Sequence, residues 1–445
     1  MKNNIIIYIS IHRRIQEISI LYHTLIKKYN VEVLIEENKD SILELQTRGV
    51  NYTLLEHRDT LLRTVLQNKF LQSIKQSTLG QYIHQKIFEL RYDILYKYIS
   101  KILKSKKYDL LITYSDRHLN LMEYALMKHS RNRGVQVLIP FLVYANPDGY
   151  VSGVLGNKNY TSLKNDYFYK RYVFKKFDSL SYKSYHAYQP FFYMFLYKKG
   201  LLSSNPWVLG AGLATKTLTG NETILQEFRN INRSGNYEAV GDLSYLKIIN
   251  SINDQDLTEN LYKKYSLINK LNLIYAIPPY AELNMTGKSS YMDKIEKNIK
   301  SLQKYQSTHN ILLSLHPSME YIKYNFLEKK YGVKIIREEL STFLHIADLF
   351  IAYPSSTVLW SVLLGKKTLI LGDIVDVDLY SYLETPVLIK KFKTIDKILN
   401  YMLEHYTPSF VNDWKLLAKD KYFHDNLEQD YYNTLDNMMK LNLAT

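Results

Sequence analysis

Residues 347–373 read ADLFIAYPSSTVLWSVLLGKKTLILGD, and this stretch decides the fold. An apolar run ends on small hydroxyl residues, Ser355, Ser356 and Thr357. A short apolar helical pattern, VLWSVLLG, then stops at Gly365, and KKTLILGD (366–373) is a second apolar run. Two strands with no polar alternation need cover on both faces, and a single helix between them is too short a path for anything but a crossover. The stretch is therefore a βαβ unit of a parallel sheet.

Working outward, the same alternation fills the C-terminal half. LNLIYAIPPY is a strand, KIEKNIKSLQKY a helix, NILLSLHP (310–317) a strand and YGVKIIREE a short strand, while TPVLIKKF adds one more downstream. The N-terminal half repeats it. NIIIYIS (4–10), VEVLI (31–35), YDLLITYS (108–115), VQVLIPFLVY, PWVLGAGL (206–213) and YEAVGDL read as strands. Between them lie helical patterns such as IQEISILYHTLIKKY, the long run 60–105 and NLMEYALMKHSRNRG, which ends on Gly134. The expectation is an α/β protein of two Rossmann-like, doubly wound domains facing across a cleft. One covers 1–245 and the other 246–445, meeting near the polar helical segment 243–265. The last helical stretch, 411–442, is expected to pack back on the N-terminal domain.

A chain of 445 residues is too long for one core, and its 46% hydrophobic content excludes intrinsic disorder. It has no cysteine, which removes disulfides, thiolate metal sites and cysteine nucleophiles, and fits a reducing compartment. The apolar runs VLIPFLVYA (137–145) and PFFYMFLY (190–197) fall well short of the ~20 residues that span a bilayer. The N-terminus reads as a strand rather than a signal peptide, so a cytoplasmic location, peripheral on the inner face of the membrane, is expected.

Lys and Arg exceed Asp and Glu by 58 − 43 = 15, so the protein is strongly basic. These cations are spread along the chain with no helix-turn-helix or zinc-finger pattern, which argues against a nucleic-acid partner. One segment stands apart. Residues 167–202, YFYKRYVFKKFDSLSYKSYHAYQPFFYMFLYKKGLL, interleave Lys and Arg with Tyr and Phe. That mixture suits peripheral contact with an anionic membrane, and it suits somewhat better a pair of amphipathic core helices whose lysines snorkel.

No GxGxxG follows the first strand and no GxxxxGK[ST] occurs, so dinucleotide and P-loop chemistry are not indicated and no cofactor is expected. GAG (210–212) is read as a tight turn. No HExxH occurs among the 12 histidines, and Asp373, Asp376 and Asp378 lack the glycine spacing of a calcium loop, so no metal site is expected.

In doubly wound sheets ligands sit outside the carboxyl ends of the strands. In the second half those ends carry Pro278, Pro279 and Glu282; His316 and Pro317; Glu338 and Glu339; and Ser355, Ser356 and Thr357. Three hydroxyl residues at a helix start suit a phosphate, though they are also the preferred helix caps. His316, following an apolar strand and preceding a proline, should project from the strand end, where an imidazole can donate to a phosphate or a leaving group. In the first half Asp116, in TYSDRH, stands at the end of a strand as a candidate base, with capping of the helix near His118 as its other role. Glu123, a little further along, is a third choice. Arg13 and Arg14 follow the first strand and are suited to an acidic acceptor or a sugar carboxylate.

LHPS (315–318), then ADLFIAYPSST and GKKTLIL, resembles the donor domain of GT-B glycosyltransferases, above all the bacterial sialyltransferases and Kdo transferases that use CMP-activated sugars. The resemblance covers the C-terminal half by motif and the N-terminal half by strand order. It implies that His316, Pro317, Ser355 and Ser356 contact the nucleotide, with Thr357, Pro279, Glu282 and Glu339 around them. It also implies that an acid of the N-terminal domain deprotonates the acceptor hydroxyl. Here that motif reads NPDG (146–149), with Pro147 where a first acid usually stands and Asp148 as the base. The implied activity is inverting, metal-independent transfer of a nonulosonic acid from a nucleotide-sugar donor to a glycan or glycolipid acceptor in surface polysaccharide synthesis. Two other readings stay open. The layout is similar to CDP-glycerol and CDP-ribitol polymerases of teichoic acid assembly, and a scaffold that has lost turnover would serve as a subunit of an assembly complex.

Overall fold

The structure is a computed structural model that describes residues 2–9, 15–117, 120–140, 147, 151, 157–282, 287–355, 357–372, 389–405 and 427–441. Asp148, Ser356, Arg13, Arg14 and the acids Asp373, Asp376 and Asp378 lie outside the described residues. The chain divides into two compact units. Unit 1 comprises Met1–Leu243 with Asn426–Thr445, and unit 2 comprises Ser244–Asp425.

Unit 1 holds a seven-stranded sheet in the order β3-β2-β1-β4-β5-β6-β7, every neighbouring pair parallel. Its strands are β1 (Asn4–Ile9), β2 (Asn30–Glu36), β3 (Tyr52–Leu55), β4 (Leu110–Ile112), β5 (Gln136–Ile139), β6 (Lys216–Thr219) and β7 (Tyr237–Ala239). Its helices are α1 (Ile15–Leu25), α2 (Lys39–Thr47), α3 (Thr60–Gln67), α4 (Lys69–Ile74), α5 (Thr78–Leu103), α6 (Leu121–Asn132), α7 (Phe168–Lys176), α8 (Pro190–Lys199) and α9 (Glu222–Ile231). Every residue of β1 from Ile5 to Ile9 is buried, as expected of a central strand covered on both faces.

The run 60–105, read as one helical stretch, is three helices. Asn68 accepts the amide of Phe70 and opens α4, and Ser77 accepts the amide of Gly80 at 3.0 Å and opens α5. Two side chains that can cap an amide end one helix and start the next without any Gly or Pro. The strand expected over 206–213 is absent. Gly210 stands at φ +82°, and the amides of Gly210 and Gly212, which would pair with a neighbouring strand, go to the carboxylate of Asp116 instead. α2 and β3, passed over in the sequence, follow an Asn38 cap and an exposed, weakly apolar tetrapeptide.

The aromatic segment 167–202 splits in two. In α8 every residue from Pro190 to Leu196 is buried against α5 and α7, so this apolar run is core. In α7 Val173 and Phe174 face inward, whereas Phe168 and Tyr172 lie exposed. The C-terminal helix of unit 1 is Leu427–Leu441, the last in the chain. It docks where α1 ends, through ion pairs of Lys27 with Glu428 and Lys28 with Asp436, and through Tyr432, whose hydroxyl donates to the Thr24 carbonyl at 2.7 Å.

Unit 2 holds a six-stranded parallel sheet in the order β10-β9-β8-β11-β12-β13. The strands are β8 (Leu271–Ile277), β9 (His309–Leu315), β10 (Lys334–Ile336), β11 (Leu349–Ala352), β12 (Lys367–Leu371) and β13 (Ile389–Phe392). Helices α10 (Ser244–Asn253), α11 (Gln255–Lys264), α12 (Lys288–Gln303), α13 (Phe326–Tyr331), α14 (Thr357–Leu363) and α15 (Ile395–His405) connect and cover it. With Leu427–Leu441 as α16, no described helix is long and apolar enough to cross a membrane. Within 347–373 the chain forms β11–α14–β12, and Gly365 ends α14 in a left-handed turn at φ +62°.

Candidate functional site

In unit 2 the order 10-9-8-11-12-13 reverses direction at β8. The chain first builds outward through β9 and β10, then returns to the other side of β8 with β11. Loops after β8 and β11 therefore diverge and leave a ligand-accepting crevice at their carboxyl ends. Register fixes what stands there. Ile277 pairs with Leu315 and Ile351 with Tyr275, so Pro278–Glu282, His316, and Tyr353–Ser355 with Thr357 leave one edge of the sheet from three adjacent strands.

His316 is exposed, and its amide donates to the Ile277 carbonyl at 3.3 Å, tying the ends of β9 and β8. Its Nδ1 receives the amide of Ser318 at 3.2 Å and lies 2.9 Å from the Ser318 hydroxyl. A ring nitrogen that accepts an amide hydrogen carries none, so the ring proton is placed on Nε2 as a donor. Pro317, also exposed, keeps the next residue out of the strand. Across β8, Ser355 and Thr357 are half-buried with hydroxyls 2.6 Å apart, and the Ser355 carbonyl accepts the amide of Val358 to start α14.

Pro279 is buried, and Glu282 is half-buried on the same β8 exit. The Tyr324 hydroxyl donates to Glu282 Oε1 at 2.6 Å, while Oε2 is buried with no hydrogen-bond partner among the described residues. Burial pushes the Tyr324 phenol up, and the Glu282 hydrogen bond and charge add to it, which keeps the donor proton in place. Beneath lies a buried polar layer. Asn298 Nδ2 donates to Tyr275 at 3.1 Å and to Tyr353 at 3.4 Å, and the Tyr280 ring meets the Tyr353 ring edge-on at 5.5 Å. These tyrosines fix the β8 and β11 exits. Glu339 is brought less close: it follows β10, the edge strand, and its carbonyl caps the one-turn helix Leu340–Phe343 by accepting from Thr342 at 2.8 Å. Glu338 beside it is held by Lys264 and Tyr265.

In unit 1 the same reversal falls between β1 and β4. Asp116 follows β4, but only 1% of it is exposed, and its two oxygens accept the amides of Gly210 at 3.0 Å and Gly212 at 2.7 Å. Burial pushes its carboxyl up against the opposing pull of those amides. The structure thus places the second candidate base as an anchor for the 210–214 turn. Nor does it cap the helix: Asn120 does, accepting the amide of Glu123 at 3.0 Å. Glu123 is equally enclosed, accepting the amides of Tyr114 and Ser115 at 3.0 and 2.9 Å. Sequence reading passed over Glu36, the last residue of β2. It receives Asn120 Nδ2 at 2.7 Å and the Tyr8 hydroxyl, and faces His57 Nδ1 at 3.4 Å and Arg63 at 3.6 Å. No motif marks it, because its partners come from four separate parts of the chain.

No protein-family model matches the chain, and no curated protein matches it in sequence. Solved structures do match in shape. The UDP-GlcNAc 2-epimerase of Neisseria meningitidis bound to UDP-GlcNAc superposes with a TM-score of 0.56 at 11% identity, covering 98% of this chain and 100% of that one. The glycotransferase of kitacinnamycin gives 0.57 at 8% identity over 98% and 99%. Sucrose-phosphate synthase from Thermosynechococcus elongatus gives 0.54 at 9% over 99% and 100%. The fold is GT-B.

Identities this low carry the GT-B architecture and leave the chemistry to the residues. Within it, unit 2 brings Pro279, Glu282, His316, Pro317, Ser355 and Thr357 to adjacent strand exits, with Glu339 at the sheet margin. Among the described residues no group of three His, Asp or Glu side chains is arranged to hold a metal ion.

Proposed function

We propose that the protein is a nucleotide-sugar-dependent glycosyltransferase whose donor phosphate lies at the carboxyl edge of β9, β8 and β11. One observation carries this: a phosphate-competent imidazole and a hydroxyl pair leave the two strands that flank β8, at the reversal point of a GT-B sheet. In the reaction the acceptor oxygen attacks the anomeric carbon as the carbon–oxygen bond to phosphate breaks. Negative charge builds on the departing phosphate, where His316 Nε2–H and the Ser355 and Thr357 hydroxyls act as preorganised donors. The acceptor proton passes to a carboxylate, for which Asp148 is proposed, and a single displacement inverts the anomeric centre. Unit 1 is proposed to bind the acceptor and unit 2 the donor.

The His-Pro and Ser-Ser positions favour a CMP-activated nonulosonic acid and a surface-glycan acceptor, with CDP-linked polyols as the nearest relatives of that chemistry. A lipid-borne acceptor would be met at an anionic membrane, for which the basic aromatic segment 167–202 is suited. A second reading, UDP-sugar chemistry, is favoured by four solved structures of the same fold that hold UDP or UDP-GlcNAc. Thermal melting with CMP, CDP, UDP and GDP separates the two. A ligand at a hundredfold excess over its Kd adds about 2.7 kcal/mol to the native state. The largest rise is expected with CMP or CDP. A larger rise with UDP selects the second reading, and no rise with any nucleotide removes the donor site.

A further inference from the structure

Unit 1 carries an unusual amount of exposed apolar surface on one run of helices. In α3, Leu61 is 84% exposed and Val65, one turn on, is exposed with it, so this helix turns an apolar stripe outward. Phe70 on α4 and Leu79 on the first turn of α5 continue the pattern, and on α7 Phe168 and Tyr172 stack with ring centroids 6.3 Å apart.

The helices that carry these side chains are neighbours, with α3 packed against both α4 and α5. α4 ends against the start of α5, where a Cβ on Gly80 would meet the Ile74 carbonyl at 1.9 Å. α7 begins beside the first turns of α5, with the Tyr169 amide on the Thr78 hydroxyl at 3.4 Å and the Tyr169 hydroxyl on Gln85 at 2.7 Å. Asp59, which precedes α3, is buried and taken up by Arg63 and Arg91, so the exposed charge carried on these helices is basic. α3, α4, α7 and α8 contain no Asp or Glu, whereas Lys69, Arg171, Lys175 and Lys176 are exposed among the apolar residues. Arg171 and Lys175 have no acidic partner among the described residues, and Lys176 lies over the exposed Tyr197 ring at 3.9 Å. Acids flank α7 on both sides: Asp166, just before it, is taken up by the buried Lys170 at 2.9 Å, and Asp178 stands just past it.

Exposed aromatic and aliphatic side chains interleaved with unpaired cations match a lipid headgroup region, which takes rings and alkyl chains at its boundary and phosphates above. A protein partner would be expected to meet such stripes with acids at fixed points; a lipid surface needs only net charge. We propose that the face formed by α3, α4, the first turns of α5, and α7 rests on an anionic lipid membrane. This extends the transferase reading by naming where a lipid-borne acceptor is met, but it is argued from unit 1 alone, so either can fail without the other. It also moves the contact off the buried stretch Pro190–Leu196 of α8 and adds α3 to α5.

The full-length protein is floated with phosphatidylcholine vesicles with and without phosphatidylglycerol. Binding is expected only with the anionic lipid, falling as salt rises. The triple variant R171Q/K175Q/K176Q should lower partitioning on the order of a hundredfold, from about 1 kcal/mol per basic residue. L61S/F70S/F168S should weaken binding while keeping its salt dependence, and both variants should melt with the parent because all six side chains are exposed. Equal binding to neutral vesicles, no binding to anionic ones, or unchanged partitioning of the triple charge variant overturns the proposal. So does a dimer in sedimentation that L61S/F70S/F168S dissolves without any vesicle binding.

Discussion

His316 and Asp116 each stand just past a strand beside a reversal point, on opposite sides of it in their two sheets, and their surroundings give them opposite fates. His316 is exposed, with Nδ1 occupied by Ser318, so its chemistry is directed outward through Nε2. His316→Ala should cut turnover by roughly two orders of magnitude, the cost of one preorganised donor, with melting temperature unchanged. His316→Gln, which keeps an amide donor, should recover part of the loss. Full turnover in a well-folded His316→Ala protein would remove the phosphate role. Asp116 faces inward, and both its oxygens are committed to glycine amides. Asp116→Asn turns one acceptor into a donor pointed at an N–H, so the variant should lose about 1–3 kcal/mol of stability in denaturant melts. A stable Asp116→Asn protein that is catalytically dead would restore Asp116 as a base.

At the scale of the element, the pair α7 and α8 is held by aromatic packing around a histidine. His186 is 3% exposed and stacks on Phe174 with centroids 3.9 Å apart, while its amide donates to the Tyr160 carbonyl at 2.7 Å. Burial lowers its pKa to about 4 from the ordinary 6.5. Between those values the unfolded chain binds a proton that the folded one refuses, so stability rises with pH across that window. The contribution is complete above pH ~6.5 and is lost as pH falls toward about 4, amounting to about 3 kcal/mol. His186→Phe should flatten the acid side of the melting profile, apart from smaller contributions of His84 and His129, whose pKa values burial also lowers. An unchanged slope would mean that the ring is hydrated in solution. Here the sequence showed only alternating Lys, Tyr and Phe. Which rings are core and which are surface was set by α5, against which α8 lays its Phe191, Phe192 and Phe195.

For the whole molecule, what sequence alone determined is the alternation of buried strands and helices, and with it a parallel sheet in each half. Strands such as IIIYI (5–9) and LFIA are apolar because both faces are covered, and that property is written residue by residue. The strand-end position of His316, Pro279, Glu282, Ser355 and Thr357 was legible for the same reason, since each follows directly on such a run. Tertiary structure decided the rest. Sheet order places β8 between β9 and β11 although thirty residues or more separate each from the next, and only that order makes three exits adjacent. The strand expected at 206–213 gave way to a turn because a distant carboxylate claims its amides, an interaction across 94 residues that no local pattern encodes. Glu36 drew in Tyr8, His57, Arg63 and Asn120 by the same logic. Hydrophobic periodicity is local and survives in one dimension. The satisfaction of buried polar groups is settled by whichever partner the folded chain brings within reach.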